Sequence, residues 1–378
     1  MTNTNSNTEN IRIGILLQDL EGGGAEKMMV NIANALATIP EIQVDLILIK
    51  NRGAYFDLLS EQVNVIHLNC SKIYLGIFGL CWYKLKKKPD VVLSTLVHIN
   101  LINVVSKVIR PKTKVILREA NSIKDNSSSN LFLVRLSYAL LPFVYRFADK
   151  IVAISIGLRY ELIDLLGTRF SNKIVAIHNP VLSSELLTNI EKIKSEVPQL
   201  PREERFVIAS VGRLAPQKDH ETLIKAFARF LELSPNSDAE LRIAGQGPLK
   251  EQLHALTKKL GVSNQVNFIG FIKNPVSIYV NCNLFVFPSR YEGFGNVLVE
   301  ALACGVPCIS SDCNYGPREI IDQVESGAKL FEVGNVNQLA DLIIKAAAGN
   351  FNSLQLKPSF FESFSAKNVS EKYLSVCK

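Results

Sequence analysis

A short apolar run, a turn bearing glycine or charge, and a stretch with apolar positions at helical spacing recur along this chain. That recurrence restricts the possible folds more than any other feature. Residues 11–17 form the first apolar run; Glu21-Gly22-Gly23-Gly24 follows, and then AEKMMVNIANALA, whose apolar positions return every three or four residues. The segment reads as strand, loop, helix. Residues 44–49, 91–94, 115–118 and 151–154 follow as further short strands, with helical stretches between most of them. Such alternation forms a parallel sheet with helices on both faces. The pattern breaks after His178-Asn179-Pro180, gives way to a polar stretch reaching Glu204, and restarts at 206–211, 241–244, 266–269, 284–287 and 308–310. The expected fold is α/β, with two doubly wound Rossmann-like domains, 1–181 and 205–358, facing each other across a cleft. A linker is expected at 182–204, and a C-terminal helix at about 359–378 is expected to pack back on the first domain. Ligands of open α/β sheets bind beyond the carboxyl ends of the strands, so function is sought in the loops there.

At roughly 150 residues per domain, a length of 378 agrees with two domains. A chain 47% hydrophobic and 20% charged buries sizeable cores and lacks the composition of a disordered protein. The seven cysteines (Cys70, Cys81, Cys282, Cys304, Cys308, Cys313, Cys377) form no CxxC pair, which indicates neither a zinc ribbon nor a disulfide framework. Reduced thiols in a cytoplasm are the simpler reading. The first ten residues, MTNTNSNTEN, lack the basic and apolar regions of a signal peptide. Lys84 interrupts the apolar stretch 73–83, and Arg135 and Arg146 interrupt the one near Leu131, so no run reaches the ~18 to 20 residues that span a bilayer.

The strongest local signal is Ser289-Arg290-Tyr291-Glu292-Gly293-Phe294-Gly295-Asn296, between a strand and the helical run VLVEALACGVP. Gly293 and Gly295 let backbone N–H groups approach an anion, and the helix start adds the positive end of its dipole. Glu292 and Glu300 are awkward beside a phosphate and better placed as acceptors from hydroxyls, such as those of a sugar and a ribose; the alternative is a structural turn with two solvated glutamates. A second loop, Gly212-Arg213-Leu214-Ala215-Pro216-Gln217-Lys218-Asp219, puts a planar guanidinium and a point charge together, as a diphosphate requires. Two merely exposed basic residues are the alternative. In the third, Gly245-Gln246-Gly247-Pro248-Leu249, Lys250 replaces the last glycine of a dinucleotide fingerprint, and no GxxxxGK[ST] loop occurs anywhere, which argues against an ATP or GTP hydrolase.

Taken together, GRLAPQKD, GQGPL, SRYEGFG, EALACGVP and the Glu292-x7-Glu300 spacing resemble the donor half of the retaining glycosyltransferases of family four, whose two-domain architecture is called GT-B. The resemblance implies that Arg213 and Lys218 hold a nucleotide diphosphate, that Glu292 contacts the donor sugar and that Glu300 contacts the ribose. It implies a donor site of Gly23, Gly24, Gly212, Arg213, Lys218, Gly245, Gly247, Glu292, Gly293, Phe294, Gly295, Asn296 and Glu300, with the Gly22–Gly24 loop approaching the phosphates. A histidine at the place of His98, just beyond the strand 91–94, contacts the donor sugar in similar enzymes, so Arg213, Lys218, Glu292 and His98 are the expected catalytic set. Glu319 follows the last of the strands and is a further candidate for the sugar. Arg118 and Glu119, with Asn121 after them, either bind acceptor or pair with each other. Neither a DxD pair nor a histidine and cysteine ligand spacing is present, so no metal and no separate cofactor is expected, and His220 reads as capping context.

The implied reaction moves a hexose or N-acetylhexosamine from a nucleotide-diphosphate sugar, UDP-linked, to a hydroxyl of a lipid-linked saccharide in bacterial surface-polysaccharide synthesis, with retention. A nucleotide-sugar epimerase and a non-catalytic partner subunit are the competing classes; retention of all four charged residues argues against the second. The net charge is +7, and the apolar, aromatic stretch 73–83 is followed by Lys84, Lys86, Lys87 and Lys88. Residues 73–88 therefore read either as a helix at an anionic membrane surface or as a packed amphipathic helix with a solvated basic end. Nucleic acid is a poor partner, because the basic and aromatic mixture extends over no more than this segment.

Overall fold

The computed structural model describes residues 10–378 apart from 22, 123–138, 197–204 and 352. Gly22 and the last eight residues of the expected linker thus lie outside the described residues. The chain divides into two compact units, residues 1–181 with 365–378, and residues 182–364.

In the first unit, β1 (Ile11–Leu17), β2 (Ile42–Leu48), β3 (Asn64–His67), β4 (Val91–Thr95), β5 (Lys114–Glu119), β6 (Lys150–Ala153) and β7 (Ile174–Ala176) form one sheet in the order β3-β2-β1-β4-β5-β6-β7. Every pairing is parallel. The sequence reading finds five of these strands and misses β3 and β7, the two edges, where only three or four residues pair and burial is partial. A parallel sheet needs cover on both faces. The Gly24–Ala37 and Ala366–Cys377 helices supply one side, joining Met29, Ile32, Leu36, Val369 and Tyr373 to Ile13, Ile15 and Leu93. On the other, Leu80 and Tyr83 of the Gly76–Lys87 helix and Ile99 and Ile102 of the Val97–Val105 helix pack on Leu16, Ile47 and Val92.

In the second unit, β8 (Phe206–Val211), β9 (Ala239–Ala244), β10 (Val266–Gly270), β11 (Leu284–Phe287) and β12 (Cys308–Ser311) pair in parallel with β14 (Ala328–Phe331) in the order β10-β9-β8-β11-β12-β14; β13 (Val324–Ser326) and β15 (Gln355–Leu356) form a separate antiparallel ribbon. The last three strands are short and carry lysine, glutamate or glutamine, which hides them from a search for apolar runs.

Three sequence expectations are corrected. The stretch 182–204 is not a plain linker: Ser184–Glu196 is a helix that buries Leu186 and Ile190 and belongs to the second unit. Its apolar residues sit four apart among charges, a helical stripe masked by polar composition. The C-terminal segment is also split, with the Ser359–Phe364 helix in the second unit and residues 365–378 in the first. The Lys84 side chain, read as part of a basic surface, is fully buried. Its ammonium donates to Ser106 Oγ at 2.7 Å and to both oxygens of Asn103 at 3.4 Å, while burial pulls its pKa down to about 8. A buried ammonium lacking such acceptors would be prohibitive, so this bond set fixes how the Gly76–Lys87 helix lies on its neighbour. Lys84→Ala is expected to cost roughly 1–3 kcal/mol in urea unfolding through the orphaned acceptors, whereas Lys86→Ala, at an exposed position, changes stability by less than about 0.5 kcal/mol.

Candidate functional site

Each sheet reverses its strand order once, between β1 and β4 in the first unit and between β8 and β11 in the second. At such a point adjacent strands send their connections to opposite faces and leave a crevice. The expected site residues gather there in both units.

In the second unit, Gly212 continues β8 and bonds N–H to Ala244 O at 2.9 Å, Leu214 N–H reaches Gln246 O at 3.0 Å, and Leu249 N–H returns to Leu214 O at 3.0 Å. These bonds lay the loop after β8 directly on the loop after β9. A Cβ at Gly245, whose φ is +152°, would strike the Gly212 carbonyl, and one at Gly247 would strike the Leu214 backbone. The two glycines of GQGPL are therefore required by backbone contact. On its other side the 212–219 loop is tied to the one after β11. Arg290 N–H donates to Gln217 O at 2.8 Å, Gln217 Nε2 donates to Tyr291 O at 3.0 Å, and the Arg290 guanidinium meets the buried Asp219 carboxylate at 3.1 and 3.2 Å. Asp219 takes a left-handed conformation, φ +45°, and accepts from Thr222 Oγ1 at 2.8 Å.

This clamp brings the Lys218 ammonium into an ion pair with Glu292, with the lysine also over the Phe287 ring, 5.2 Å from its centre. Arg213 is exposed and makes no ion pair among the described residues. Gly293 is buried in the loop, Gly295 (φ +111°) caps the Asn296–Ala303 helix, and Asn296 opens it. One turn on, the Glu300 carboxylate is buried and accepts from the Tyr279 hydroxyl at 2.9 Å. Burial, and then Glu300 itself, pushes the Tyr279 phenol up and keeps it a donor. Phe294, expected in the donor site, turns its ring into the unit against Phe364, 5.7 Å between centres, so its backbone alone lines the loop. Glu319 lies in the first turn of the Pro317–Ile321 helix, after β12. Beside Lys218, His220 is buried, with its pKa pushed down to about 3 by burial and by that ammonium; it is a neutral imidazole without a capping bond from its Nδ1.

In the first unit, Gly23 caps the Gly24–Ala37 helix with no side-chain bond, and Glu26 folds back over it. Leu96, at φ +73°, turns the chain from β4 into the Val97–Val105 helix and sets His98 beside Gln18, Nε2 to Oε1 3.0 Å. Burial holds the His98 imidazole below its ordinary pKa, against the nearby Asp19 carboxylate. Asp19 is itself buried and pairs with Arg52 at 3.2 Å. Burial, reinforced by Asp19, raises Glu26.

Arg118 and Glu119, expected either to bind acceptor or to pair with each other, are adjacent on β5 and point to opposite faces of it. Both are buried. Arg118 donates to Thr95 Oγ1 at 3.0 Å and Asn179 Oδ1 at 2.6 Å, and Glu119 accepts from Tyr145 and, at 2.9 Å, from Asn100. Their partners are internal, and the pair braces the carboxyl edge of the sheet; Asn121 beyond them is exposed. Gln18, Asp19, Glu26, Gln217, Asp219, Tyr279 and Arg290 were not singled out as site groups from the sequence. Asp219 and Arg290 stand inside the loops already quoted, yet nothing in either loop states that it pairs with the other.

Residues 191–357, nearly all of the second unit, match the family model described as glycosyl transferases group 1. An N-acetylgalactosamine-N,N'-diacetylbacillosaminyl-diphospho-undecaprenol 4-alpha-N-acetylgalactosaminyltransferase of Campylobacter jejuni is 29% identical over 87% of this chain and 88% of its own length. Among solved structures, the apo form of the lipopolysaccharide outer core galactosyltransferase WaaB superposes with a TM-score of 0.74 at 20% identity, over 97% of this chain and 99% of that one. HepE of Anabaena in complex with UDP gives 0.72 at 20% identity, over 97% and 99%. The second unit thus matches the group 1 glycosyltransferases, and the chain has the GT-B fold of two Rossmann-like domains.

Burial pushes the Glu119 pKa up to about 7, over the opposing bonds from Tyr145 and Asn100 and the charge of Arg118. Because the folded value lies above the unfolded one, the folded form holds the extra proton between about pH 4.5 and 7, and stability is lost as pH rises through 7. Glu119→Gln is expected to abolish that loss. In urea titrations the variant should gain on the wild type by up to about 3 kcal/mol between pH 5 and pH 8.

Proposed function

We propose that the protein transfers a hexose or N-acetylhexosamine from a nucleotide-diphosphate sugar, UDP-linked, to a hydroxyl of a lipid-linked saccharide during assembly of a bacterial surface polysaccharide or glycan, with retained anomeric configuration. The observation that carries this reading is the Lys218–Glu292 pair at the switch point of the second sheet, with the exposed Arg213 in the same loop and Glu300 a turn into the helix beyond. One cation is thereby pre-positioned by a carboxylate, and a second stands open to solvent. An arriving diphosphate takes both, since a group carrying two or more negative charges competes with one carboxylate for Lys218. Glu292, released from full engagement with Lys218, accepts from a hydroxyl of the sugar, and Glu300, oriented by Tyr279, accepts from the ribose.

In the step itself the bond between the anomeric carbon and the diphosphate oxygen breaks as the acceptor oxygen bonds to the same face, and the acceptor proton passes to the departing diphosphate. Arg213, Lys218 and the start of the Asn296–Ala303 helix stabilise the charge that develops on the leaving group. Glu292 and Glu300 are engaged by Lys218 and Tyr279 respectively, which favours binding roles over the acid and nucleophile pair of a retaining glycosidase. The Campylobacter relative, named for a diphospho-undecaprenol acceptor and aligned along most of both chains, supports the lipid-linked acceptor.

Arg213→Ala and Lys218→Ala are each expected to slow transfer by roughly 30- to 1000-fold, about 2–4 kcal/mol of transition-state stabilisation. Arg213→Ala is the cleaner probe, because Lys218→Ala also leaves a buried Glu292 uncompensated; melting temperatures recorded beside the rates separate the two effects. Near-wild-type turnover in both would end the diphosphate assignment. Calorimetry with free UDP should show Glu300→Gln weakening binding and Glu292→Gln largely sparing it.

In this reading the two cations and the helix start neutralise the leaving group without a metal. Transfer should persist in excess chelator, with at most modest stimulation by a divalent ion carried on the donor phosphates. Abolition by chelator, with rescue by one particular ion, would refute it.

A further inference from the structure

The first unit leaves seven large apolar side chains exposed on two neighbouring elements: Tyr74, Phe78, Trp82 and Leu85 on and just before the Gly76–Lys87 helix, and Val105, Val108 and Ile109 at the end of the Val97–Val105 helix and the turn after it. Phe78 is 71% exposed and Val108 80%. The first four recur every three or four residues and so form one stripe along the helix. Lys84, on the inward side, reaches Asn103 and Ser106 and holds that helix against the 97–109 segment, which places the second apolar group alongside the first. Lys107 extends the connection by donating to Phe147 O at 3.3 Å, next to the exposed Phe143 and Phe147.

Charge on this face is predominantly positive, although the Asp149 carboxylate pairs with Lys107 at 2.7 Å. From 62 to 118 the chain holds eight lysines and two arginines against a single carboxylate, Asp90. Lys84 and Arg118 are buried, while Lys86, Lys87, Lys88 and Lys112 are exposed. Cations are interleaved with the aromatics: the Lys86 ammonium lies 4.9 Å from the Trp82 ring centre, Lys72 5.8 Å from Tyr74, and the Arg146 guanidinium 4.8 Å from Phe143.

We infer that this two-element face docks on an anionic lipid bilayer. Its apolar stripe enters the boundary between headgroups and acyl chains, and its lysines rest among the phosphates. The combination suits a surface that is apolar beneath and negatively charged above. A second copy of the chain fits poorly, because a two-fold contact would set Lys86, Lys87 and Lys88 against themselves. The inference goes beyond the transfer chemistry and uses only residues of the first unit. It would place the enzyme where a lipid-linked acceptor resides, but its test needs neither donor nor acceptor.

Flotation with vesicles of phosphatidylcholine, with and without phosphatidylglycerol, tests it on the full chain. Wild type should float with the anionic vesicles, in part even at high salt. Lys86→Gln, Lys87→Gln and Lys88→Gln combined should weaken that binding on the order of a hundredfold at low salt. Phe78→Ser with Trp82→Ser should remove the salt-resistant fraction. Both variants change exposed positions, so unchanged melting curves and an unchanged UDP-induced thermal shift are expected; a failure to float would then leave the transfer reading standing. Absence of wild-type flotation, or flotation equal in all three proteins, overturns the inference. So does a dimer, seen by sedimentation, that Phe78→Ser with Trp82→Ser converts to monomer.

Discussion

Lys218 and Glu292 are separated by 74 positions in sequence and joined by an ion pair in the fold. Neither side chain is fully solvated, and a half-buried cation or carboxylate in that position is tolerable only with its counterion present. Their meeting depends on β8 lying beside β11, on the backbone bonds between the 212–219 and 289–295 loops, and on the Asp219–Arg290 pair beneath them. The glycines of the adjoining loop belong to the same construction: a side chain at 245 or 247 would push the 212–219 segment away from its neighbour. One electrostatic contact thus depends on several backbone contacts.

The first unit solves a similar problem with buried hydrogen bonds. Arg118 and Glu119 bring two charges into the interior, and each is surrounded by dipoles: Thr95 and Asn179 for the cation, Tyr145 and Asn100 for the carboxylate. The C-terminal helix completes this arrangement by placing Tyr373 near Arg118, whose charge partly offsets the burial that raises the phenol. Residues from β4, β5, the segment after β7 and the last helix therefore converge on one strand end. A rigid carboxyl edge is the consequence, with His98 and the Gly23 helix start at its switch point.

Lys84 illustrates how composition misleads. In sequence it stands with three further lysines and looks like part of one basic surface. In the fold the helix turns it inward, and its three companions alone face solvent. Its burial joins two elements whose outer faces then form one apolar, basic-edged surface.

Much of the fold was legible because parallel strands buried on both faces must be apolar, and the helices between them must repeat every three or four residues. Strand positions 11–17, 206–211 and 284–287 follow from that rule alone, and so do the loops that carry Arg213, Lys218 and Glu292, which begin where the strands end, and the helix after the last of them, which carries Glu300. The edge strands β3, β7 and β14, the ribbon strands β13 and β15 and the Ser184–Glu196 helix escaped because partial burial permits polar residues, and the hydrophobic signal fades with them. Pairing was not legible at all. That Arg118 faces Asn179, that Asp219 holds Arg290, that Tyr279 supports Glu300 and that Lys84 lies inside are consequences of strand order and helix rotation, which bring together groups that no local pattern connects. The sequence determined which chemical groups stand at the strand ends; tertiary packing decided which of them remain open to a ligand, because a buried charge must first satisfy its own partners.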